Sequence, residues 1–148
     1  THQGARMAGP ESPRVIVDTN VLFSAIAHRE GTPARVLLAV LPGQMLVSPP
    51  LLDEYRRVLG APRGLSYLGI SEDSLDDLLD FIVRGAGIDS GGLGPIAPDP
   101  GDQHLWDLLA GGPDSILVTG DRALLASPHF PGRILSSRDF VDRFLATE

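Results

Sequence analysis

Apolar residues along the chain fall into short blocks whose spacing alternates between that of strands and that of helices. Residues 14–17 form a short β-branched run that predicts a buried central strand, and residues 45–48 predict a second strand. Helices are expected over 20–28 and 32–41, the latter with Thr32 as its N-cap. Such alternation is typical of a parallel sheet with helical crossovers. The sequence therefore predicts a single α/β domain with a central, mostly parallel β-sheet flanked by helices.

The second half of the chain continues this order. Pro49 and Pro50 start a helix that ends near Gly60, and Ser71 caps the next helix. The stretch 85–100 is rich in Gly and Pro and is interpreted as a loop. The remaining expected elements are a short strand near 93–96, a helix over 102–110, a strand at 116–119, a helical turn at 121–126, a strand at 134–135 and a last helix capped by Ser136 or Ser137.

One predicted helix carries a dense group of acidic residues. Leu75, Leu79 and Ile82 recur at helical spacing and indicate its buried face. The acidic residues that fall between such apolar positions are Asp73, Asp76, Asp77 and Asp80. Charged residues on the face opposite an apolar stripe are usually solvated. We therefore interpret this group as the outer surface of a helix.

Four other acidic residues are far apart in sequence, and each lies where a strand ends or a helix begins: Asp18, Glu54, Asp102 and Asp121. Taken singly, each aspartate could be a helix cap and Glu54 a surface glutamate. In an open α/β sheet, however, the carboxyl ends of the strands form the crevice where ligands bind. Carboxylates converging there would repel one another unless a cation such as Mg²⁺ or Mn²⁺ lay between them. The set predicts a metal-dependent enzyme acting on phosphate esters.

Neighbouring polar residues could support such a site. The Asn20 amide could hold a nearby carboxylate, and Thr119 offers a hydroxyl close to Asp121. Asp99 competes with Asp102: one is expected to be the N-cap of the following helix, and either could be a metal ligand.

Arg122 is a candidate phosphate clamp because it follows Asp121 directly, although a solvent-exposed arginine is the simpler interpretation.

Composition limits the chemistry that the chain could perform. The chain contains no cysteine and its 12 basic residues are all arginine, which excludes thiolate nucleophiles, Schiff-base lysines and a P-loop lysine. The lack of cysteine also fits a reducing cytoplasm. The net charge of −7 gives no basic footprint, which argues against a nucleic-acid substrate, although a four-carboxylate site would account for part of it.

The 148 residues suit one domain, with no apolar run approaching the ~20 residues needed to span a bilayer. Residues 1–13 contain no apolar signal segment and are interpreted as a disordered tail or a remnant of expression, which leaves 14–148 as the domain.

The chain resembles the PIN domain family over roughly residues 14–144. The resemblance rests on residues 17–21, the helix that carries Glu54, residues 99–102 and residues 117–121, all in the expected order. The chain looks most like the VapC-like toxin ribonucleases of toxin–antitoxin pairs.

The resemblance implies a catalytic and metal-binding set in which Asp18, Glu54, Asp102 and Asp121 take the first to fourth acidic positions. Asn20 and Thr119 match the family's supporting polar positions. In that family the acidic residues bind Mg²⁺ or Mn²⁺ and the enzymes cleave single-stranded RNA. A homodimer and an inhibitory antitoxin protein are also implied. The alternative is a non-catalytic PIN-fold module that binds RNA or protein.

Apolar residues of the first two helices give a separate reason to expect an interface. Phe23, Ile26, Val36 and Leu37 are more than the core of a small domain needs, so some of them are expected to lie between two chains.

Overall fold

The structure, a computed structural model, describes residues 12–41 and 43–145. Almost all of the predicted tail, 1–13, therefore lies outside the described residues, as does the end of the predicted domain at 146–148. The described strands are β1 (Val15–Val17), β2 (Leu46–Val47), β3 (Gly87–Ile88), β4 (Ile116–Val118) and β5 (Ile134–Leu135). The described helices are α1 (Thr19–Ala27), α2 (Thr32–Val40), α3 (Pro49–Leu59), α4 (Pro62–Leu68), α5 (Glu72–Gly85), α6 (Gln103–Gly111), α7 (Arg122–Leu125) and α8 (Ser137–Phe144).

All pairs of described strands are parallel, which agrees with the predicted α/β fold. Strands β1, β4 and β5 form one sheet in the order β1-β4-β5, and β2 pairs with β3. A parallel bridge from Val15 to Met45 joins β1 to the start of β2. The strands therefore follow the spatial order β3-β2-β1-β4-β5. The chain leaves β1 first toward β2 and later returns on the other side as β4, so the order reverses between β1 and β4, where open α/β sheets bind ligands.

Strands β1 and β4 lie in the centre of the domain because they are apolar on both faces. Every residue of β1 and β4 is buried, as expected of strands covered by helices on both sides. Helix α5 contributes its predicted buried face, Leu75, Leu79 and Ile82, and α8 contributes Phe140 and Val141. Ser71 and Ser136 cap these two helices with their hydroxyl groups. The N-cap predicted at Ser71 is confirmed, and Ser136 rather than Ser137 is the N-cap of the last helix.

Several predicted boundaries were wrong. Helix α2 begins at Thr32 and its N-cap is Gly31, so Thr32 is the first helical residue. The short strand expected at 93–96 is absent, and Leu93 and Ile96 are exposed. The strand that follows α5 and pairs with β2 is β3, which lies earlier in the chain than 93–96. The N–H of Gly87 donates to the carbonyl of Met45. Helix α4 was not predicted.

Two residues expected at an interface lie inside the domain. Val36 is fully buried and Leu37 is 8% exposed, both within the core, while Phe23 and Ile26 are partly buried against it. The exposed apolar residue of α2 is Leu38, at 68%. The core of one chain thus uses the apolar residues that seemed to be in excess. Among the described residues, no helix is long and apolar enough to cross a membrane.

Candidate active site

Asp18 follows β1 directly and is held by hydrogen bonds from three sides. It caps α1 by accepting from the Thr19 N–H at 2.8 Å, and its Oδ2 accepts from Thr119 Oγ1 at 2.7 Å and Asn20 Nδ2 at 3.2 Å. The side chain is buried. Burial raises the pKa of Asp18, the bonds from Thr119 and Thr19 oppose that rise, and the charges of nearby carboxylates add to it. The site therefore fixes a carboxylate where its charge is poorly solvated.

Thr119 and Asn20 also connect the ends of β1 and β4. The Thr119 hydroxyl donates to Asp18 and accepts from the Asp121 N–H at 3.0 Å. Asn20 donates to Asp18 through its amide while its Oδ1 accepts from the Gly120 N–H at 3.1 Å. Residues 100 positions apart in sequence are thus locked into one hydrogen-bonded network at the switch point of the sheet.

Asp121 lies at the end of β4 as the N-cap of α7. Its Oδ1 accepts from the Ala123 N–H at 2.8 Å and the Leu124 N–H at 3.4 Å. Asp121 also lines the same cavity as Asp18, and its charge contributes to the raised pKa of Asp18. The Asp121 side chain therefore both caps α7 and lines the cavity.

Helix α3 is anchored to β1 by a buried tyrosine next to Glu54. The Tyr55 hydroxyl donates to the Val17 carbonyl at 2.5 Å. Burial, followed by the charges of Asp18 and Glu54, raises the pKa of Tyr55 well above its ordinary value, which keeps the hydroxyl protonated as a donor. This contact places Glu54 beside the residue that ends β1.

Glu54 itself has three polar neighbours. Its Oε1 accepts a hydrogen bond from Thr19 Oγ1 at 2.9 Å and lies 3.4 Å from His104 Nε2. Its Oε2 lies 3.7 Å from the guanidinium of Arg57. The carboxylate is thus oriented from α1, α3 and α6 rather than free in solvent.

Asp102 and Asp99 differ in what their side chains do. Asp99 accepts from the Gly101 N–H at 2.7 Å and caps the short 3-10 turn Pro100–Asp102. Asp102 makes no side-chain capping bond and lines the cavity with Asp18. Burial, together with the charges of Asp18, Asp121, Asp99 and Glu54, raises the pKa of Asp102 to about 6. Four carboxylates therefore influence one side chain.

The four dispersed acidic residues converge on one open cavity of about 410 Å³. Its lining residues are Asp18, Thr19, Asn20, Phe23, Ser24, Glu54, Val58, Asp102 and Asp121. As they are placed, no three acidic or histidine side chains of the described chain are close enough together to hold a metal ion directly. The donor set still fits Mg²⁺ or Mn²⁺, because Mg²⁺ usually keeps several waters and takes only one or two carboxylates.

Comparison with known families identifies the fold. The chain matches the profile of the PIN domain over residues 14–123, which is more than half of its length. The chain belongs to the PIN domain family. No curated protein and no solved structure matches it significantly. PIN domains are generally nucleases that act on nucleic acids, and they typically use divalent metals.

Contacts in this PIN domain also involve residues that the sequence did not single out. Thr19, Arg57 and His104 contact Glu54, and His104 Nδ1 is buried without a hydrogen-bond partner in the described part of the chain. Arg122, by contrast, is exposed and is not among the residues that line the acidic cavity. Arg57 lies 3.7 Å from Glu54, and its position three residues after Glu54 was the available signal.

Proposed function

We propose that this PIN domain is a metal-dependent ribonuclease that hydrolyses phosphodiester bonds of single-stranded RNA. The observation that carries the proposal is the convergence of four carboxylates, from four separate elements, on one cavity at the switch point of the sheet. The proposed catalytic and metal-binding residues are Asp18, Glu54, Asp102 and Asp121, supported by Asn20 and Thr119. The choice of RNA rests on the resemblance to VapC-like ribonucleases.

Three of the four carboxylates have distinct tasks in this proposal. Asp18 is the fixed ligand, because three hydrogen bonds hold its carboxylate in place. Asp102 would be the adjustable ligand, since no capping bond restrains it. Glu54 orients bound water while Thr19 holds its carboxylate. A bound Mg²⁺ or Mn²⁺ would supply a water of lowered pKa and stabilise charge on the scissile phosphate.

The test compares RNA cleavage by the wild type and the Asp18→Asn variant with added Mg²⁺ or Mn²⁺ and with EDTA. Cleavage that needs the metal and is lost in the variant is expected. Asp77→Asn, on the exposed face of α5, is the matched control for loss of one negative charge. Wild-type rates in Asp18→Asn under saturating Mg²⁺ would overturn the site.

A non-catalytic RNA- or protein-binding module is the second candidate. A Mn²⁺ titration separates the two candidates. The enzyme should bind Mn²⁺ in a manner that depends on Asp18 and Asp102, whereas the module should show no such site.

We further propose a cytoplasmic toxin of a toxin–antitoxin pair that forms a homodimer. The support for the dimer is a small apolar pocket between α1 and α2, lined by Ala25, Ala34, Leu37 and the exposed Leu38 together with Arg29. An antitoxin arginine inserted among the carboxylates would be the natural inhibitory contact, because a guanidinium can bind carboxylates bidentately. Sedimentation equilibrium at micromolar concentration should give twice the 15.7 kDa mass of one chain. A single species of 15.7 kDa would contradict the dimer.

A further inference from the structure

An aromatic pair lies at the rim of the acidic cavity. Phe23 of α1 and Tyr67 of α4 are stacked, with ring centroids 5.6 Å apart and an angle of 23° between the ring planes. Phe23 lines the cavity together with Asp18 and Glu54. Tyr67 is 66% exposed, so most of its surface is open to solvent. The pair therefore leads from the acidic cavity, which Phe23 lines, to the exposed ring of Tyr67.

Helix α4 exists at this place because its own sequence supports it. Pro62 occupies the first helical position, and Gly69 ends the helix in the left-handed conformation that glycine adopts readily, with φ of 69°. Gly64 packs against α3 so closely that an added Cβ would lie 2.6 Å from the Val58 carbonyl oxygen. Tyr67 is thus presented from a short helix fixed tightly against α3.

We propose that the Phe23–Tyr67 pair is a stacking platform for one base of a single-stranded nucleic acid whose phosphate enters the acidic cavity. This inference rests on the proposed function and names how its substrate is held. Bases stack on aromatic side chains with little dependence on sequence, because every base has a π-face. The pair would bind a base next to the nucleotide that is cleaved.

The charge of the chain favours a base, rather than the phosphate backbone, as the main source of affinity. Most proteins that bind nucleic acids do so through basic residues. Here the net charge is −7, lysine is absent, and the cavity itself is acidic. Arg57, with a side chain that is 73% exposed, is the cation placed at Glu54. Stacking on an aromatic ring needs no positive charge, so an acidic protein can bind an RNA strand in this way.

The experiment measures binding of a fluorescein-labelled, ten-nucleotide single-stranded RNA by anisotropy in Mg²⁺, on an Asp18→Asn background so that cleavage does not interfere. Tyr67→Leu keeps an apolar side chain but removes the ring, and it should raise Kd by about tenfold. Tyr67→Phe keeps the ring and should change Kd by less than about twofold. Phe81→Leu on α5, at an aromatic residue that is 49% exposed, is the matched control and should leave Kd unchanged.

Salt provides a second measurement. With few phosphate contacts, the slope of log K against log salt should stay close to about −0.7, the value for a single phosphate contact on a single strand. A steep slope with no effect of Tyr67→Leu would overturn the platform in favour of backbone binding. If Tyr67→Leu instead dissociates a dimer and leaves RNA affinity unchanged, the surface is a protein interface and the platform is overturned.

The failure of the platform and the failure of the proposed function are distinguishable. Wild-type cleavage with unchanged Kd in Tyr67→Leu would overturn the platform alone. Loss of affinity in Tyr67→Leu, combined with a wild type that cleaves no RNA, would support the platform and overturn hydrolysis. If the Asp18→Asn background binds no RNA while the wild type cleaves it with a KM that Tyr67→Leu does not change, the platform is again overturned.

Discussion

The molecule carries two groups of four acidic residues that differ in their spacing along the chain, their exposure and their surroundings. One lies within eight consecutive positions of α5: Asp73, Asp76, Asp77 and Asp80. All four are exposed, and Asp76 forms a 2.6 Å ion pair with Arg56 at the surface. The other group, Asp18, Glu54, Asp102 and Asp121, spans more than 100 positions and lines one cavity.

A high density of acidic residues along a sequence therefore does not indicate a site. Exposed carboxylates on a helix face are solvated, and an exposed ion pair contributes little, typically ~0–1 kcal/mol. Carboxylates that converge from separate elements lose solvation and repel one another, as the raised pKa values of Asp18 and Asp102 show. Such an arrangement destabilises the fold, and the proposed cation would offset that cost.

The largest expected difference between the two acidic groups is in the rate of RNA cleavage after one carboxylate is removed. Asp18→Asn should lower the metal-dependent rate of RNA cleavage by at least about a hundredfold, because a metal contributes several kcal/mol to transition-state stabilisation. Asp77→Asn removes the same charge from α5 and should change the rate by less than about twofold. Initial rates at saturating Mg²⁺ measure both. Equal losses would mean that net charge, and not the site, controls the activity.

A finer comparison concerns two aspartates three residues apart. Asp102→Asn should lower the rate by about tenfold or more, because Asp102 lines the cavity without a capping role. Asp99→Asn removes a turn cap that is exposed, and the rate should fall by less than about threefold. The same cleavage assay applies to both variants. A larger loss at Asp99 would reverse the assignment of the third acidic position.

The pH dependence of Mn²⁺ affinity should follow Asp102. The pKa of Asp102 is raised to about 6, so the group holds a proton below that pH and must release it to act as a ligand. Affinity should therefore fall as pH decreases through 6, by about tenfold between pH 7.5 and pH 5 if one proton competes. Isothermal titration at both pH values measures it. The Asp102→Asn variant should show a weaker dependence.

The smallest effect is on stability in EDTA. A carboxylate whose pKa rises on folding binds more protons in the folded state, so stability falls as pH rises from 3.8 to about 6. At pH 7.5, Asp102→Asn should raise Tm by about 2–4 °C, a gain that exposure of the group limits. At pH 3.5 the gain should vanish. Asp18→Asn should gain less, because its carboxylate accepts three hydrogen bonds that an amide would partly lose.

The sequence predicted elements whose signals are local. Strands β1 and β4, the helix capped by Ser71 and the parallel α/β fold follow from apolar runs and caps. Helix α4 was missed because the Gly and Pro residues near Gly60 indicate the end of α3, whereas Pro62 also starts the next helix. Strand β3 was misplaced because Leu93 and Ile96 are apolar but exposed. Pairing with β2, rather than apolar content, defines that strand.

The site was predictable to the extent that its residues follow strands. The sequence indicated that Asn20 would hold a carboxylate, and its amide does donate to Asp18. It could not indicate that Thr19 donates to Glu54 across 35 positions, or that His104 would face the same carboxylate. Contacts between side chains on separate helices depend on how those helices pack, which leaves no periodic signal in the sequence.

The bond between Tyr55 and Val17 also has a consequence for how the protein unfolds. It joins the residue after Glu54 to the residue before Asp18, across 38 positions. Because the Thr119–Asp18 bond closes a further loop of 101 positions, the acidic residues come together only when most of the chain is folded. Hydrogen exchange at the Asp18 and Asp121 amides should therefore occur through global unfolding rather than local opening. A fragment that lacks either half would lose the whole site at once, and not a part of it.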